Sequence, residues 1–210
     1  MSESGTQIAA DSTETLRSIA HELRQPLGTI ESIAYYLSLV LPRDGGRIQE
    51  QLAQLQRLVE QSNWILTSGL QLADPPPMCP VLMSLEELVT HQASTRISPP
   101  DKLLRLELEG DLPLVTLDPA LGGALIENLF MLFCQLATEA HPVTLRTALA
   151  EKGVRLEIST TAPGFRSEST LGAGAVLSLR SARGIVEAHG GSLELSIDPA
   201  AGIRLNVMLR

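Results

Sequence analysis

Leu16, Ala20, Leu23, Leu27, Ile30, Ala34, Leu37 and Leu41 recur at steps that alternate between four and three residues. That heptad spacing puts one apolar seam along a helix and leaves this part of the chain little choice of fold. Asp11, Ser12 and Thr13 are the N-cap candidates, and residues 1–10 read as a loose lead-in. A helix from there to Leu41 would be about 30 residues, a rod of roughly 45 Å. Pro26 removes one backbone hydrogen bond inside it, so a kink is expected there. Pro42–Gly46 reads as a turn, followed by a second helix from about Arg47 to Leu72. Its seam runs through Ile48, Leu52, Leu55, Val59 and Leu66, interrupted by Ser62. The two helices make an antiparallel hairpin. Each has an apolar face too wide for one partner, so a homodimer forming a four-helix bundle is expected.

With Leu16 at heptad position d and Ala20 at a, His21 falls at b, off the seam and facing water. An exposed imidazole is largely neutral at pH 7 and can act as a nucleophile. A lone histidine would be a surface residue. This one stands in the run Ser18-Ile-Ala-His21-Glu22-Leu23-Arg24-Gln25-Pro26-Leu27.

Asp74-Pro-Pro-Pro77 cannot continue a helix and forms a semi-rigid spacer. The chain beyond it alternates strands and helices. Strands are expected at 103–108, 143–148, 154–159, 192–197 and 203–209, and helices at 85–95, 119–137 and 179–188. Glu151-Lys-Gly153 between two alternating runs is a hairpin signal. The class is therefore α+β: a helical hairpin, then an α/β sandwich with helices on one face of a mixed sheet. The domains are residues 1–73, a linker at 74–80, and 81–210.

The net charge of -8 argues against partners such as nucleic acid or an anionic membrane. Aromatic residues are 3% of the chain, so the core must be aliphatic. Cys79 and Cys134 are too few for a disulfide framework or a metal site and read as buried thiols. No signal peptide and no span of ~20 apolar residues is visible, so a soluble, cytoplasmic protein without membrane insertion is expected.

The run from His21 to Leu27 resembles the H-box of bacterial two-component sensor histidine kinases, whose histidine carries a phosphoryl group. The resemblance continues in order through Ser84-Leu85-Glu86-Glu87-Leu88, Leu112-Pro113-Leu114-Val115 with Asp118-Pro119, and Ile185-Val186-Glu187-Ala188-His189-Gly190-Gly191. It implies a dimerisation and phosphoacceptor hairpin followed by a Bergerat-type ATPase domain, and response-regulator receiver domains as partners. It also implies that Glu22 orients or deprotonates His21, which suits general-base chemistry. Gln25, one turn on, could position a water, and Arg24 could contact phosphoryl oxygens. A solvated helix surface is the competing reading for all three.

The nucleotide motifs depart from the family. Asn128 matches the first asparagine of the N-box, but Leu132 stands at the Mg²⁺-coordinating asparagine and offers no oxygen to a hard cation. Thr160 stands where an aspartate would bind adenine, and Ala162 replaces a glycine, leaving Gly164. In Gly174-Ala-Val176-Leu-Ser178-Leu179, Val176 and Ser178 replace glycines that allow close backbone approach to phosphates. Only Phe165 to Ala173 separates the two glycine boxes, little room for a nucleotide lid.

These departures set ATP aside as donor. The expected function is a histidine phosphotransfer protein that relays a phosphoryl group between receivers through His21, by in-line displacement at phosphorus. This resembles the dimeric phosphotransferases with a degenerate kinase-like domain. Mg²⁺ would come from the receiver, and no cofactor or metal would be held tightly by the chain. The alternatives are a divergent sensor histidine kinase core that autophosphorylates His21 with ATP, a non-catalytic receiver-binding or pseudokinase module, and a receiver phosphatase. His91, His141, His189 and Trp64 read as structural or surface residues.

Overall fold

The computed structural model describes residues 3–41, 46–95, 103–134, 136–163 and 166–210. The expected turn at Pro42–Gly46 lies almost wholly outside these residues, as do Gly164 and Phe165. The chain divides into two compact units, residues 1–76 and 77–210.

The first unit is two helices, α1 (Glu3–Val40) and α2 (Gly46–Ala73), packed on each other. α1 starts at Glu3 rather than at an N-cap among Asp11–Thr13, which lie within it. Each residue added to an existing helix gains a hydrogen bond, and no proline or glycine pair intervenes to stop it. It runs on through Pro26 as one element. Arg17 meets Asp74, and Arg24 meets Thr67. Seven residues forward on α1 therefore correspond to seven back on α2, one antiparallel register. Ala20, Ala34, Leu52, Val59 and Trp64 are buried between the helices, while Leu16, Leu23 and Ile30 of the seam stay exposed. Thus only the alanines of the α1 seam are fully covered within one hairpin.

The second unit is an α/β sandwich. The sheet runs β2 (Leu104–Glu107), β4 (Val143–Ala150), β5 (Gly153–Thr160), β7 (Gly202–Leu209) and β6 (Ser192–Asp198) in spatial order. Only the β2–β4 pair is parallel. Alternation decides its faces. Val154, Leu156, Ile158, Ile203, Leu205 and Val207 point to one side and are buried, whereas Arg155, Glu157, Arg204 and Asn206 point to the other. Helices α3 (Leu85–Thr95), α4 (Pro119–Cys134) and α5 (Ala173–Ala188) cover the apolar side.

The β4–β5 hairpin turns on Glu151 and Lys152, with Ala150 opposite Gly153. Gly153 has φ 132°, and a Cβ there would lie 2.0 Å from the Leu209 carbonyl oxygen, so glycine is required. Two further strands, β1 (Val81–Met83) and β3 (Val115–Leu117), form a separate antiparallel pair. Their three residues each are too few for a period-two pattern to show in the sequence. α5 begins at Ala173, six residues before the expected start at Leu179. Val176 and Ser178, in place of glycines, let the helix extend back to Gly172, whose φ of 86° ends it. α4 stops at Cys134 instead of 137, where the Leu136 and Ala137 N–H groups both turn back to the Phe133 carbonyl. Cys79, expected buried, is exposed because it lies in the extended segment before β1.

Candidate functional site

His21 is exposed on α1 together with Glu22, Arg24 and Gln25. The Gln25 side-chain nitrogen lies 3.3 Å from His21 Nε2. An amide N–H can only donate, so this pairing requires a bare Nε2 and the imidazole proton on Nδ1. Nε2 thus carries the lone pair that accepts this N–H, and a helical i, i+4 step supplies the donor. Arg24 lies one turn on and donates to Thr67 Oγ1 of α2 at 3.0 Å, while Thr67 Oγ1 donates to the Asn63 carbonyl at 2.9 Å. Arg17, one turn before His21, is ion-paired with Asp74. Arg17, Arg24, Thr67, Leu70, Gln71 and Asp74 line a shallow groove of about 240 Å³ between the helices. Glu22 lies on the same helix and is solvated. Arg17, Thr67 and Asp74 were not singled out from the sequence. The usable signal was the spacing of Arg17, four residues before His21.

The positions that depart from the nucleotide motifs lie in the α/β unit. Leu132 is fully buried in its core beside Leu129, Phe130 and Phe133. Asn128 is also buried. Its amide nitrogen donates to the Ala124 carbonyl at 2.8 Å and reaches Ser181 Oγ of α5 at 3.4 Å. Thr160 Oγ1 donates to the His141 carbonyl at 3.1 Å, so it ties β5 to the segment before β4. Ser178 is buried and donates to the Gly174 carbonyl at 2.8 Å, and Val176 is half-buried in the first turns of α5. A Mg²⁺–nucleotide needs oxygen ligands and close backbone approach. These residues supply neither: Leu132 and Val176 have no polar side-chain atom, and Asn128, Thr160 and Ser178 spend theirs inside the fold. They do not fit the group.

Between β5 and α5, Glu168–Leu171 form a single 3-10 turn, held by Thr170 Oγ1 donating to the Ser167 carbonyl at 2.6 Å. Arg183 of α5 lies 3.8 Å from Glu168.

Asp118 is the most densely bonded carboxylate described. It accepts N–H groups from Leu121, Cys79 and Ala120 at 3.0, 2.7 and 2.9 Å. Its own N–H donates to His189 Nε2 at 3.0 Å, and His189 Nδ1 donates to the Ile185 carbonyl at 2.7 Å. The Leu121 bond first, then those from Cys79 and Ala120 and the nearby His189, hold the Asp118 carboxyl below its usual range. This cluster ties the segment before β1, the start of α4 and the end of α5 together, a structural role. His141 Nδ1 lies 2.9 Å from Thr161 Oγ1, and His91 is exposed on α3. Among the described residues no helix is long and apolar enough to cross a membrane.

No family model matches the chain. The sensor histidine kinase ZraS of Escherichia coli (strain K12) is 23% identical over 205 residues, covering 91% of this chain and 44% of that protein. ZraS of Klebsiella oxytoca is 25% identical over 203 residues, covering 88% and 43%. The chain therefore spans less than half the length of the curated relatives it matches. Among solved structures, full-length ShkA in complex with AMPPNP superposes with a TM-score of 0.65 at 20% identity, over 93% of this chain and 45% of that one. The Acinetobacter baumannii histidine kinase AdeS gives 0.54 at 18%, over 90% and 96%.

These findings correct the expectation of a histidine phosphotransfer protein relaying between receivers. The curated relatives are sensor histidine kinases, and the similarity runs through the hairpin and the α/β unit together rather than stopping at the hairpin.

Proposed function

We propose, for a chain whose relatives are sensor histidine kinases and whose two units share that family's core fold, that it is a divergent histidine kinase core of two-component signalling. His21 is the phosphoacceptor, and a response-regulator receiver domain takes the phosphoryl group from it. The observation that carries this is the exposed His21, its Nε2 3.3 Å from the Gln25 amide nitrogen, on a helical hairpin that precedes an α/β unit. The exposed Leu16, Leu23 and Ile30 support dimerisation into a four-helix bundle, since a second hairpin would cover them.

Incubation with γ-labelled ATP and Mg²⁺, alone and together with a catalytically complete histidine kinase, tests the reading. Acid-labile label on His21, absent from His21→Ala, supports it. No label in either mixture overturns it.

A second reading is favoured by Leu132, Thr160, Val176 and Ser178, whose side chains are committed to the α/β fold. In it the domain is a kinase-like module without ATP turnover of its own, acting in mixed dimers with a complete kinase. Label on His21 only in the mixture supports this reading, and saturable ATP binding by the isolated chain overturns it.

A further inference from the structure

Arg17, His21 and Arg24 follow one another at steps of four and three along α1. Such residues are neighbours on one helix face, with Cβ atoms ~5–6 Å apart. The Arg17 guanidinium is committed to carboxylates: it pairs with Asp74 across the hairpin and lies 3.5 Å from Glu14 on its own helix.

Asp74 holds a special place. It is the first residue after α2, and its N–H closes the end of that helix onto the Leu70 carbonyl at 2.9 Å. Pro75, Pro76 and Pro77 follow, none of which has an N–H to continue the helix. The Arg17–Asp74 pair therefore clamps the chain where it leaves the hairpin.

The clamp is exchangeable. Side-chain exposure is 53% for Arg17 and 41% for Asp74, so water competes for both partners. A phosphoryl group on the His21 imidazole would bring close to two negative charges and three acceptor oxygens one turn away from Arg17. That is a stronger guanidinium partner than one solvated carboxylate.

We propose that Arg17 is a phosphohistidine-sensing residue, an inference that rests on His21 being the phosphoacceptor. With His21 bare, Arg17 holds Asp74. With His21 phosphorylated, Arg17 turns to the phosphoryl oxygens, Asp74 loses its partner, and the last turn of α2 frays into the proline linker. The state of His21 is thereby passed to the segment that joins the hairpin to the α/β unit.

The test uses the full chain and potassium phosphoramidate, a donor independent of any ATP site. Its P–N bond breaks, a new P–N bond forms to the imidazole, and ammonia leaves with the proton. Phosphorus NMR reads phosphohistidine, and amide exchange reads the Asp74 N–H. The expected result is a phosphohistidine signal with Asp74 exchange faster by about an order of magnitude, as for a helix end that opens locally. In Arg17→Gln and Asp74→Asn, exchange is already fast and phosphoramidate does not change it. In His21→Ala it stays slow after treatment. A phosphohistidine signal with unchanged Asp74 exchange overturns the latch and leaves the phosphoacceptor reading standing, as does slow exchange in Arg17→Gln. No phosphohistidine at His21 overturns both.

Discussion

The hairpin and the α/β unit keep their polar side chains in opposite places. On the hairpin, His21, Glu22, Arg24 and Gln25 are exposed, and their hydrogen bonds are to one another or to the neighbouring helix. In the α/β unit, Asn128, Thr160 and Ser178 occupy or border motif positions, yet they are buried and bonded to backbone or, for Asn128, also to Ser181. A group that meets a substrate must have unspent hydrogen-bonding capacity facing solvent. The hairpin retains that capacity, whereas the motif positions of the α/β unit have exchanged it for packing.

Leu132→Asn attacks this contrast most directly. It restores the oxygen that a metal-binding asparagine would present. Where that position opens onto a cleft, the change is mild. In the core described above it removes a buried leucine and strands an amide, at a cost of about 4 kcal/mol. Denaturant unfolding of the variant should show that loss. A change under about 1 kcal/mol would mean that the helix can turn this position outward.

Asp118→Ala comes next. Three backbone N–H groups lose their acceptor, two of them at the start of α4, and about 2 kcal/mol is expected. The same carboxylate sets an acid limit on the α/β unit. Its folded pKa is below the ordinary value of 3.8, so the unfolded chain binds its proton first as pH falls. The stabilisation is complete well above pH 4 and is lost as pH drops through 3.8 toward the folded pKa. Asp118→Asn should flatten that part of the stability profile.

How much of this was legible in the sequence follows the same divide. The α1 seam and the strand alternation gave the hairpin and the five-stranded sheet, because period and length were both sufficient. The three-residue strands Val81–Met83 and Val115–Leu117 were too short to carry a period. The expected start of α5 falls six residues late because Val176 and Ser178 stand where the family has glycines, yet the same residues favour helix. In the sequence Asp74 stands at the head of a proline linker. Its pairing with Arg17, 57 residues earlier, depends on the hairpin register, which no local pattern encodes. The phosphotransfer expectation fails because the lost nucleotide residues bear only on what the α/β unit binds and do not specify a different function.

Reconstructing the glycine box sharpens the comparison further. Val176→Gly with Ser178→Gly should cost about 1–2 kcal/mol, from two glycines in α5 and the loss of a buried hydroxyl bond. It should not create saturable ATP binding, since Leu132 and Thr160 remain. Titration calorimetry showing tight binding in this double variant would make the two glycines alone the missing element.

The smallest effect on stability belongs to the residue with the largest expected effect on signalling. His21 is exposed, and its described polar contact is the 3.3 Å approach of Gln25. His21→Ala should therefore unfold within about 0.5 kcal/mol of the parent chain. Alanine is also the better helix former, which offsets the lost contact. Acid-labile label on this chain, from γ-labelled ATP in the kinase mixture, should nonetheless vanish completely. A fold that is indifferent to this imidazole, with labelling that depends on it entirely, separates a phosphoacceptor from a helix surface residue. Should the variant instead lose a kilocalorie or more while label persists, the imidazole would be structural and another nucleophile would carry the phosphoryl group.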